Sequence, residues 1–260
     1  MFTGFSLETD EMFSMYKSIG EDVIRVNKEE VGEELSKFIS TDGRIDGTKM
    51  QDNWFPKVKA DIFLSHSHLD RDKALGLAGW LRREFNLKVF IDSSVWGFAD
   101  DLLKQIDDEY CRTYDNTGYV YEKRNYSTSH VHSMLTTALL KMIHNTECLL
   151  FLNTPKSIRS KEVIEQTMSP WIYMELAMSK LVEQVKPDRE FLIKKAYEVF
   201  QEQKSLAVTY DVEINHLERI NQQNLNKWIV EHTQFKNLPV AYRPHALDIL
   251  YKQCKLVSVD

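Results

Sequence analysis

The segment SPWIYME, residues 169–175, places a carboxylate and an indole four residues apart near a predicted helix start. Ser169 is a suitable N-cap, and Pro170 suits the first helical position. A spacing of four puts Trp171 and Glu175 on one face of the helix, so the carboxylate would stand beside an aromatic side chain. Such a pair suits a cationic, ring-bearing substrate. The alternative is that Trp171 packs in the core and Glu175 is a solvated charge, so the surrounding elements must decide.

Those elements follow a pattern of alternating strands and helices. Buried strands are predicted at residues 62–64, 88–92, 147–153 and 206–212, with helices at 74–85 and from Ser129 onward. This alternation is typical of a parallel sheet that is covered on both faces. In the flavodoxin-like strand order, ligands bind where the first and third strands end. Residues 65–68 and 153–155 lie at those ends, and Glu175 can point into the same crevice.

Several blocks of this pattern resemble the Toll/interleukin-1 receptor (TIR) family. They are DIFLSH at 61–66, VFID at 89–92, a BB-type loop at 93–97, LLFL at 149–152 and W-x-x-x-E at 171–175. The last block resembles the motif of the NAD-cleaving members. The resemblance covers about residues 58–215 and is nearest to bacterial stand-alone TIR proteins of Thoeris antiphage defence. The chain departs from the family in two ways. The segment at about 98–128 is longer than the family's usual connection between the BB loop and the next helix, and the sequence shows no recognisable fifth strand.

The resemblance implies an α/β fold of the flavodoxin-like TIR type, a parallel sheet with helices on both faces. We expect a helical N-terminal extension at 1–56, a TIR-like domain at 57–215 with an insertion at about 98–128, and a C-terminal helical segment at 216–260. The helical extensions would pack on the TIR core. Apolar residues at helical spacing predict flanking helices within 22–39, 187–203, 225–229 and 246–251.

The resemblance also implies cleavage of the bond between nicotinamide and ribose in NAD⁺. The nicotinamide ring is already cationic and leaves without a proton, so one carboxylate suffices where ordinary glycosidases use two. Glu175 would stabilise the developing positive charge on the ribose, and an unperturbed Glu, with a pKa of about 4.3, is ionised at neutral pH. The predicted substrate-binding residues are Phe63, Ser65, His66, Asp92, Ser93, Trp96 and Trp171.

Absent motifs argue against a bound cofactor and against a metal. The sequence has no G-x-G-x-x-G after a strand, no phosphate-binding P-loop and only nine glycines, so NAD⁺ is expected as a consumed substrate. His66 and His68 in SHSH, and His130 and His132 in SHVH, have no cysteine or acidic partner at familiar ligand spacing. We therefore predict no metal site.

Composition narrows the expected partners. The net charge of −6 and the pI near 5.8 give no electrostatic footprint for nucleic acid. The three cysteines are odd in number and widely spaced, as in reduced cytosolic proteins. No signal peptide or membrane span is visible. The sequence therefore predicts a cytoplasmic protein with neither nucleic-acid nor membrane partners.

Three functions remain open from the sequence. The first is an NAD⁺ glycohydrolase or cyclase, active as a homo-oligomer, whose ADP-ribose-derived product signals to a separate effector in antiphage defence. The second is a non-catalytic TIR module that binds other proteins and in which Glu175 is structural. The third is a flavodoxin-like N-glycosidase acting on nucleosides, which requires an additional catalytic acid. The sequence does not identify such an acid.

Overall fold

The computed structural model describes residues 1–29, 38–39, 45–54, 59–161, 164–167, 169–185, 187, 210–239 and 242–256. The strands are β1 (Thr3–Glu8), β2 (Ile62–Ser65), β3 (Val89–Ile91), β4 (Cys148–Leu152), β5 (Arg159–Lys161), β6 (Ile164–Thr167), β7 (Tyr210–Asp211) and β8 (Glu218–Asn221). The helices are α1 (Lys17–Glu29), α2 (Gly47–Trp54), α3 (Arg71–Phe85), α4 (Ser93–Tyr110), α5 (Tyr121–Asn145), α6 (Pro170–Leu181), α7 (Gln222–Gln234) and α8 (Ala246–Gln253). Among the described residues, no helix combines the length and apolar character that a membrane crossing requires.

Five strands form one parallel sheet in the order β3-β2-β4-β1-β8. Ile62 of β2 lies opposite Val89 of β3 on one side and opposite Cys148 of β4 on the other. The predicted strands at 62–64, 88–92 and 147–153 are therefore confirmed as β2, β3 and β4. The α/β class and the parallel sheet are also confirmed, and they are compatible with a flavodoxin-like fold.

The sheet separates two apolar cores. Successive strand side chains point to opposite faces, so Ile62 and Leu64 enter one core while Phe63 enters the other. Buried residues of α1, α3, α7 and α8 complete the first core, and those of α2, α4, α5 and α6 complete the second. The predicted covering of both faces by helices is confirmed.

The N-terminal residues begin with a strand of the central sheet. β1 pairs in parallel with β4 on one side and with β8 on the other. Its side chains Phe5 and Leu7 are fully buried. The expectation of a purely helical extension at 1–56 is therefore wrong, because a strand paired on both sides belongs to the core of the sheet rather than to an addition.

The fourth predicted strand, at 206–212, does not join the parallel sheet in its described part. Residues 210–211 form β7, which pairs antiparallel with β6 in a separate sheet of order β5-β6-β7. Residues 206–209 lie outside the described part, as does the predicted helix at 187–203 except for residue 187. The edge beside β1 is occupied by β8, so the C-terminal segment contributes a strand as well as the predicted helices, found as α7 and α8.

The segment predicted as a BB-type loop is helical. Asp92 accepts a hydrogen bond from the Ser93 backbone N–H through Oδ1, at 2.7 Å, and α4 begins there. Most of the predicted insertion at 98–128 is also helical, since α4 continues to Tyr110 and α5 starts at Tyr121. The helix predicted from Ser129 onward starts earlier, since Ser129 lies inside α5 and donates to the Asn125 carbonyl at 2.8 Å. A local cap at Asp92 therefore outweighs the loop-like composition of 93–97.

Helices α1 and α3 approach so closely that only glycine fits at one crossing point. A Cβ atom on Gly79 would lie 2.0 Å from the backbone oxygen of Tyr16, the residue before α1, and 2.9 Å from the backbone nitrogen of Gly20 in α1. We expect Gly79→Ala to lower the free energy of unfolding by about 1–3 kcal/mol, because the helices must move apart. Urea denaturation measures this change. Gly47→Ala is the control, since its Cβ would meet nothing within 4 Å, and equal losses in both variants would contradict the close crossing.

Candidate functional site

Four polar side chains meet inside the protein at the carboxyl ends of β2 and β3. Ser65 ends β2 and His66 follows it, Asp92 follows β3, and Glu175 comes from α6. All four residues are 0% exposed. The pairing of β2 with β3 places Asp92 beside Ser65, and the Asp92 backbone N–H donates to the Leu64 carbonyl at 3.4 Å. We call these four residues the carboxyl cluster.

The carboxyl cluster lies at a switch in the topology of the sheet. The helix that follows β2, α3, packs on one face, whereas α4 after β3 and α6 after β4 pack on the other. After β2 the chain therefore leaves toward one face of the sheet, whereas after the neighbouring strands β3 and β4 it leaves toward the other. Open α/β sheets bind ligands at such points. The position of the cluster is that of a ligand site.

Helix α6, which carries Glu175, starts with the cap that the sequence predicted. The Ser169 side chain accepts a hydrogen bond from the Ile172 backbone N–H at 3.3 Å, and Pro170 is the first helical residue. Ile172 and Leu176 are each 1% exposed and lie in the core on the same face of the sheet as α4 and α5. The predicted cap is confirmed, and this packing brings Glu175 to the end of β2.

The end of α6 is tied to the segment before β8. Ser179 Oγ and His216 Nε2 are 2.8 Å apart, and Lys180 forms an ion pair with Glu213. Burial, and then the positive charge of Lys180, lowers the pKa of His216 to about 4. His216 is therefore neutral at pH 7, and its contact with Ser179 is a hydrogen bond between uncharged groups.

Within the carboxyl cluster, each carboxyl group has one bonded oxygen and one without a partner. Ser65 Oγ donates to Glu175 Oε2 at 2.6 Å. His66 Nδ1 lies 2.6 Å from Asp92 Oδ1, the oxygen that also accepts from Ser93. Asp92 Oδ2 and Glu175 Oε1 are buried and, among the described residues, have no hydrogen-bond partner if both groups are ionised. The two carboxyl groups can hydrogen-bond to each other when one carries a proton.

The surroundings of Glu175 raise the pKa of its carboxyl group. Burial raises the pKa of Glu175 well above its ordinary value, the negative charge of Asp92 and a hydrogen bond with it raise the pKa further, and the Ser65 hydrogen bond opposes them. Burial disfavours the charged form of any carboxyl group, and a neighbouring carboxylate adds repulsion. The expectation of an unperturbed Glu175 is therefore wrong for this closed arrangement, which disfavours the ionised form.

The other predicted substrate-binding residues lie on β2, α4 and α6. Phe63 is fully buried and packs against Phe90, with the ring centroids 5.3 Å apart. Trp171 is half-buried and meets the His132 ring of α5 edge-on at 5.6 Å. Ser93 starts α4. Trp96 also lies in α4, and its side chain is outside the described part of the chain.

The sequence did not identify a companion acid for Glu175, and the structure brings Asp92 to it. The two residues are distant in the chain, and they meet because Ser65 bonds Glu175 while Asp92 ends the neighbouring strand. One feature of the sequence could have indicated this contact. Ser65 and Asp92 both lie at the carboxyl end of a predicted parallel strand. Parallel strands that pair directly present their carboxyl ends side by side.

A cavity of about 360 Å³ opens on the other side of the loop that follows β2. Its lining includes His68, Asp70, Arg71 and Lys156, and none of the cluster residues. Asp70 accepts a hydrogen bond from Thr154 and forms an ion pair with Lys156 at 3.2 Å. This cavity does not reach Glu175.

One group of side chains could supply metal ligands at the opposite end of the sheet. Glu147, His245 and Asp248 offer ligand atoms that lie within 4.8 Å of one another. Glu147 also accepts a hydrogen bond from the Tyr251 hydroxyl at 2.8 Å, and Asp248 lies in the first turn of α8, where a carboxylate stabilises the helix. These contacts account for the two carboxylates as structural groups.

The raised pKa of Glu175 predicts a stability difference that depends on pH. The folded protein binds this proton more tightly than the unfolded chain, so the contribution is complete below the ordinary pKa of glutamate and is lost as pH rises through the folded pKa. Glutamine cannot ionise. We expect the wild type to lose stability relative to Glu175→Gln across that window, by about 1.4 kcal/mol per pH unit. Urea denaturation of both proteins at several pH values measures it, and a difference independent of pH would contradict the assignment.

Comparison with known proteins yields no match to a family model, a curated protein or a solved structure. The function is therefore argued from the geometry of the carboxyl cluster.

Proposed function

We propose that this chain is a TIR-type enzyme that cleaves the bond between nicotinamide and ribose in NAD⁺, with Glu175 as the catalytic carboxylate. The observation that carries the proposal is the place of Glu175. Its carboxyl group meets Ser65 and Asp92 at the topological switch of a parallel sheet, where such folds bind ligands. The W-x-x-x-E segment supplies this residue from a capped helix.

The reaction would proceed from an opened form of the site. Glu175 is 0% exposed in the closed arrangement, so neighbouring elements must move before a ribose can reach it. Opening admits water and separates Glu175 from Asp92, and both effects return the pKa of Glu175 toward its ordinary value. The ionised carboxylate then stabilises the positive charge that develops on the ribose as nicotinamide leaves. The closed form is inactive because its Glu175 is covered and the charged form of the carboxyl group is disfavoured.

The product would be an ADP-ribose derivative that signals to a separate effector in antiphage defence. Whether it is cyclic, linear or conjugated depends on the nucleophile that reaches the ribose. A homo-oligomer is part of the proposal, and residues 93–97, which were expected as a BB-type loop, form the start of α4.

One observation favours the alternative of a non-catalytic interaction module. Glu175 is completely buried and bonded to Ser65, as a structural residue would be. In that case α6 would use Glu175 to fasten itself to β2, and the surface of the protein would carry the function.

The test is a product analysis with purified protein. The protein is incubated with NAD⁺, with and without a lysate of phage-infected cells, and the products are identified by mass spectrometry. We expect free nicotinamide and an ADP-ribose derivative in at least one of the two conditions. Intact NAD⁺ in both would contradict the enzyme and favour the interaction module.

A further inference from the structure

The cavity beside the loop that follows β2 also lies at the carboxyl end of the sheet. Met12 follows β1, residues 68–73 follow β2 and Lys156 follows β4, so the ends of three adjacent strands meet around it. Its volume of about 360 Å³ falls in the range of small-molecule sites, about 300–1,000 Å³. Parallel α/β sheets bind ligands at this end. The position and size of the cavity are therefore those of a second ligand site.

The two carboxylates of the cavity wall are already paired with cations. Asp70 forms an ion pair with Lys156 at 3.2 Å and accepts a hydrogen bond from Thr154. Asp72 forms an ion pair with Lys17 at 2.9 Å. The negative charge of the wall is therefore balanced by Lys156 and Lys17.

Two further cations of the wall have no such counter-charge. Lys73 is 8% exposed, and its ammonium group donates to the Thr9 carbonyl. An ammonium group has three donors, and within the described part of the chain the other two have no acceptor and no carboxylate forms an ion pair with Lys73. The exposed Arg71 side chain forms neither a hydrogen bond nor an ion pair with any described residue. A buried charge is costly unless it is paired, so an anion in this cavity would compensate Lys73.

The first turn of α3 adds to the positive potential of the cavity. Asp70 precedes this helix, but its side chain does not cap it, because the carboxylate is engaged with Thr154 and Lys156. The start of a helix carries a partial positive charge and favours phosphate groups. The planar guanidinium of Arg71 can donate to two phosphate oxygens at once. These features favour a phosphate group over a simple inorganic anion such as chloride.

We propose that this cavity binds the phosphate group of a small phosphate monoester, of the class of the nucleoside monophosphates. Lys73 and Arg71 bind the phosphate oxygens. Met12 and Leu69, whose exposed apolar side chains also line the cavity, contact the organic part. The inference goes beyond the proposed function and does not depend on it, because no lining residue belongs to the carboxyl cluster.

Equilibrium dialysis of the full chain against adenosine monophosphate (AMP), adenosine and inorganic phosphate tests the proposal. AMP and adenosine differ only in the phosphate group. We expect AMP to bind, inorganic phosphate to bind more weakly and adenosine not to bind at millimolar concentration. Equal binding of AMP and adenosine, or no binding of AMP, would overturn the phosphate site. Inorganic phosphate that binds as tightly as AMP would overturn the contact with the organic part.

Arg71→Gln places the phosphate group in this cavity rather than elsewhere. The position is exposed, so the variant should fold. We expect its dissociation constant for AMP to rise about tenfold or more, a usual loss when a hydrogen bond between charged groups is removed. Arg82→Gln is the matched control, because it removes the same charge from the last turn of α3. Unchanged binding by Arg71→Gln, or equal losses in both variants, would contradict this location.

Lys73→Met tests the buried cation. Methionine keeps an apolar stem of similar length and removes the charge. We expect its affinity for AMP to fall at least about tenfold. AMP should also raise the melting temperature of the wild type but not that of the variant. Wild-type affinity in folded Lys73→Met would exclude Lys73 from the site.

The remaining outcomes keep the two proposals apart. If Lys73→Met does not fold, Arg71→Gln and its control still decide. None of these measurements uses the cleavage of NAD⁺, so a failure of the phosphate site leaves the proposed function intact. Binding of AMP that is lost in Arg71→Gln would support the phosphate site even in a protein that leaves NAD⁺ intact.

Discussion

Replacing Glu175 with glutamine is expected to lower NAD⁺ cleavage by about a hundredfold or more while the fold is retained. The amide has nearly the same shape, and its oxygen can still accept the Ser65 hydrogen bond. It has no negative charge for the ribose in the transition state. Removal of one such electrostatic contribution commonly costs about 10²–10³ in rate.

The measurement is the rate of nicotinamide release by wild type and variant under conditions in which the wild type is active. Glu84→Gln is the matched control, because Glu84 lies on α3, which packs on the opposite face of the sheet. Circular dichroism verifies that the variants are folded. A folded Glu175→Gln protein that turns over NAD⁺ at a wild-type rate would exclude Glu175 from the chemistry.

Replacing Phe5 with alanine is expected to lower the free energy of unfolding by about 3–5 kcal/mol. Phe5 is 0% exposed on β1, between β4 and β8, and its ring stacks on Tyr251 with the centroids 6.0 Å apart. Truncation would leave a cavity where the sheet meets α8. The neighbouring strands cannot close it without breaking their pairing with β1.

Urea denaturation measures this loss, and Met15→Ala is the control from the same N-terminal part of the chain. Met15 is 80% exposed, so its truncation should change the free energy of unfolding by less than about 0.5 kcal/mol. If residues 1–56 were an appended segment, Phe5→Ala would be almost as mild as Met15→Ala. Similar values for the two variants would therefore contradict the central position of β1.

The sequence alone determined the elements whose signals are local. The runs at 62–64, 88–92 and 147–153 are apolar and end in polar residues, and they form β2, β3 and β4. Ser169 and Pro170 start α6 as their types predicted. Such patterns involve only the few residues of one strand or one helical turn, so they can be recognised without knowledge of the rest of the chain.

Only the tertiary structure decided which elements lie side by side. The central place of β1 depends on pairing with β4 and β8, which are remote in the sequence. Local propensity is weaker than such tertiary interactions, so the segment at 1–56 was predicted incorrectly. The error at 93–97 has a local cause, because the Asp92 cap starts α4 within loop-like residues.

The same division applies to Glu175. Its type, its helix and its spacing from Trp171 were visible in the sequence, and they sufficed to predict a carboxylate at the end of a parallel sheet. The shift of its pKa was not visible, because the pKa of a carboxyl group depends on burial and on neighbouring charges. The fold buries Glu175 completely and places Asp92 against it, and both effects raise the pKa of Glu175 above its ordinary value.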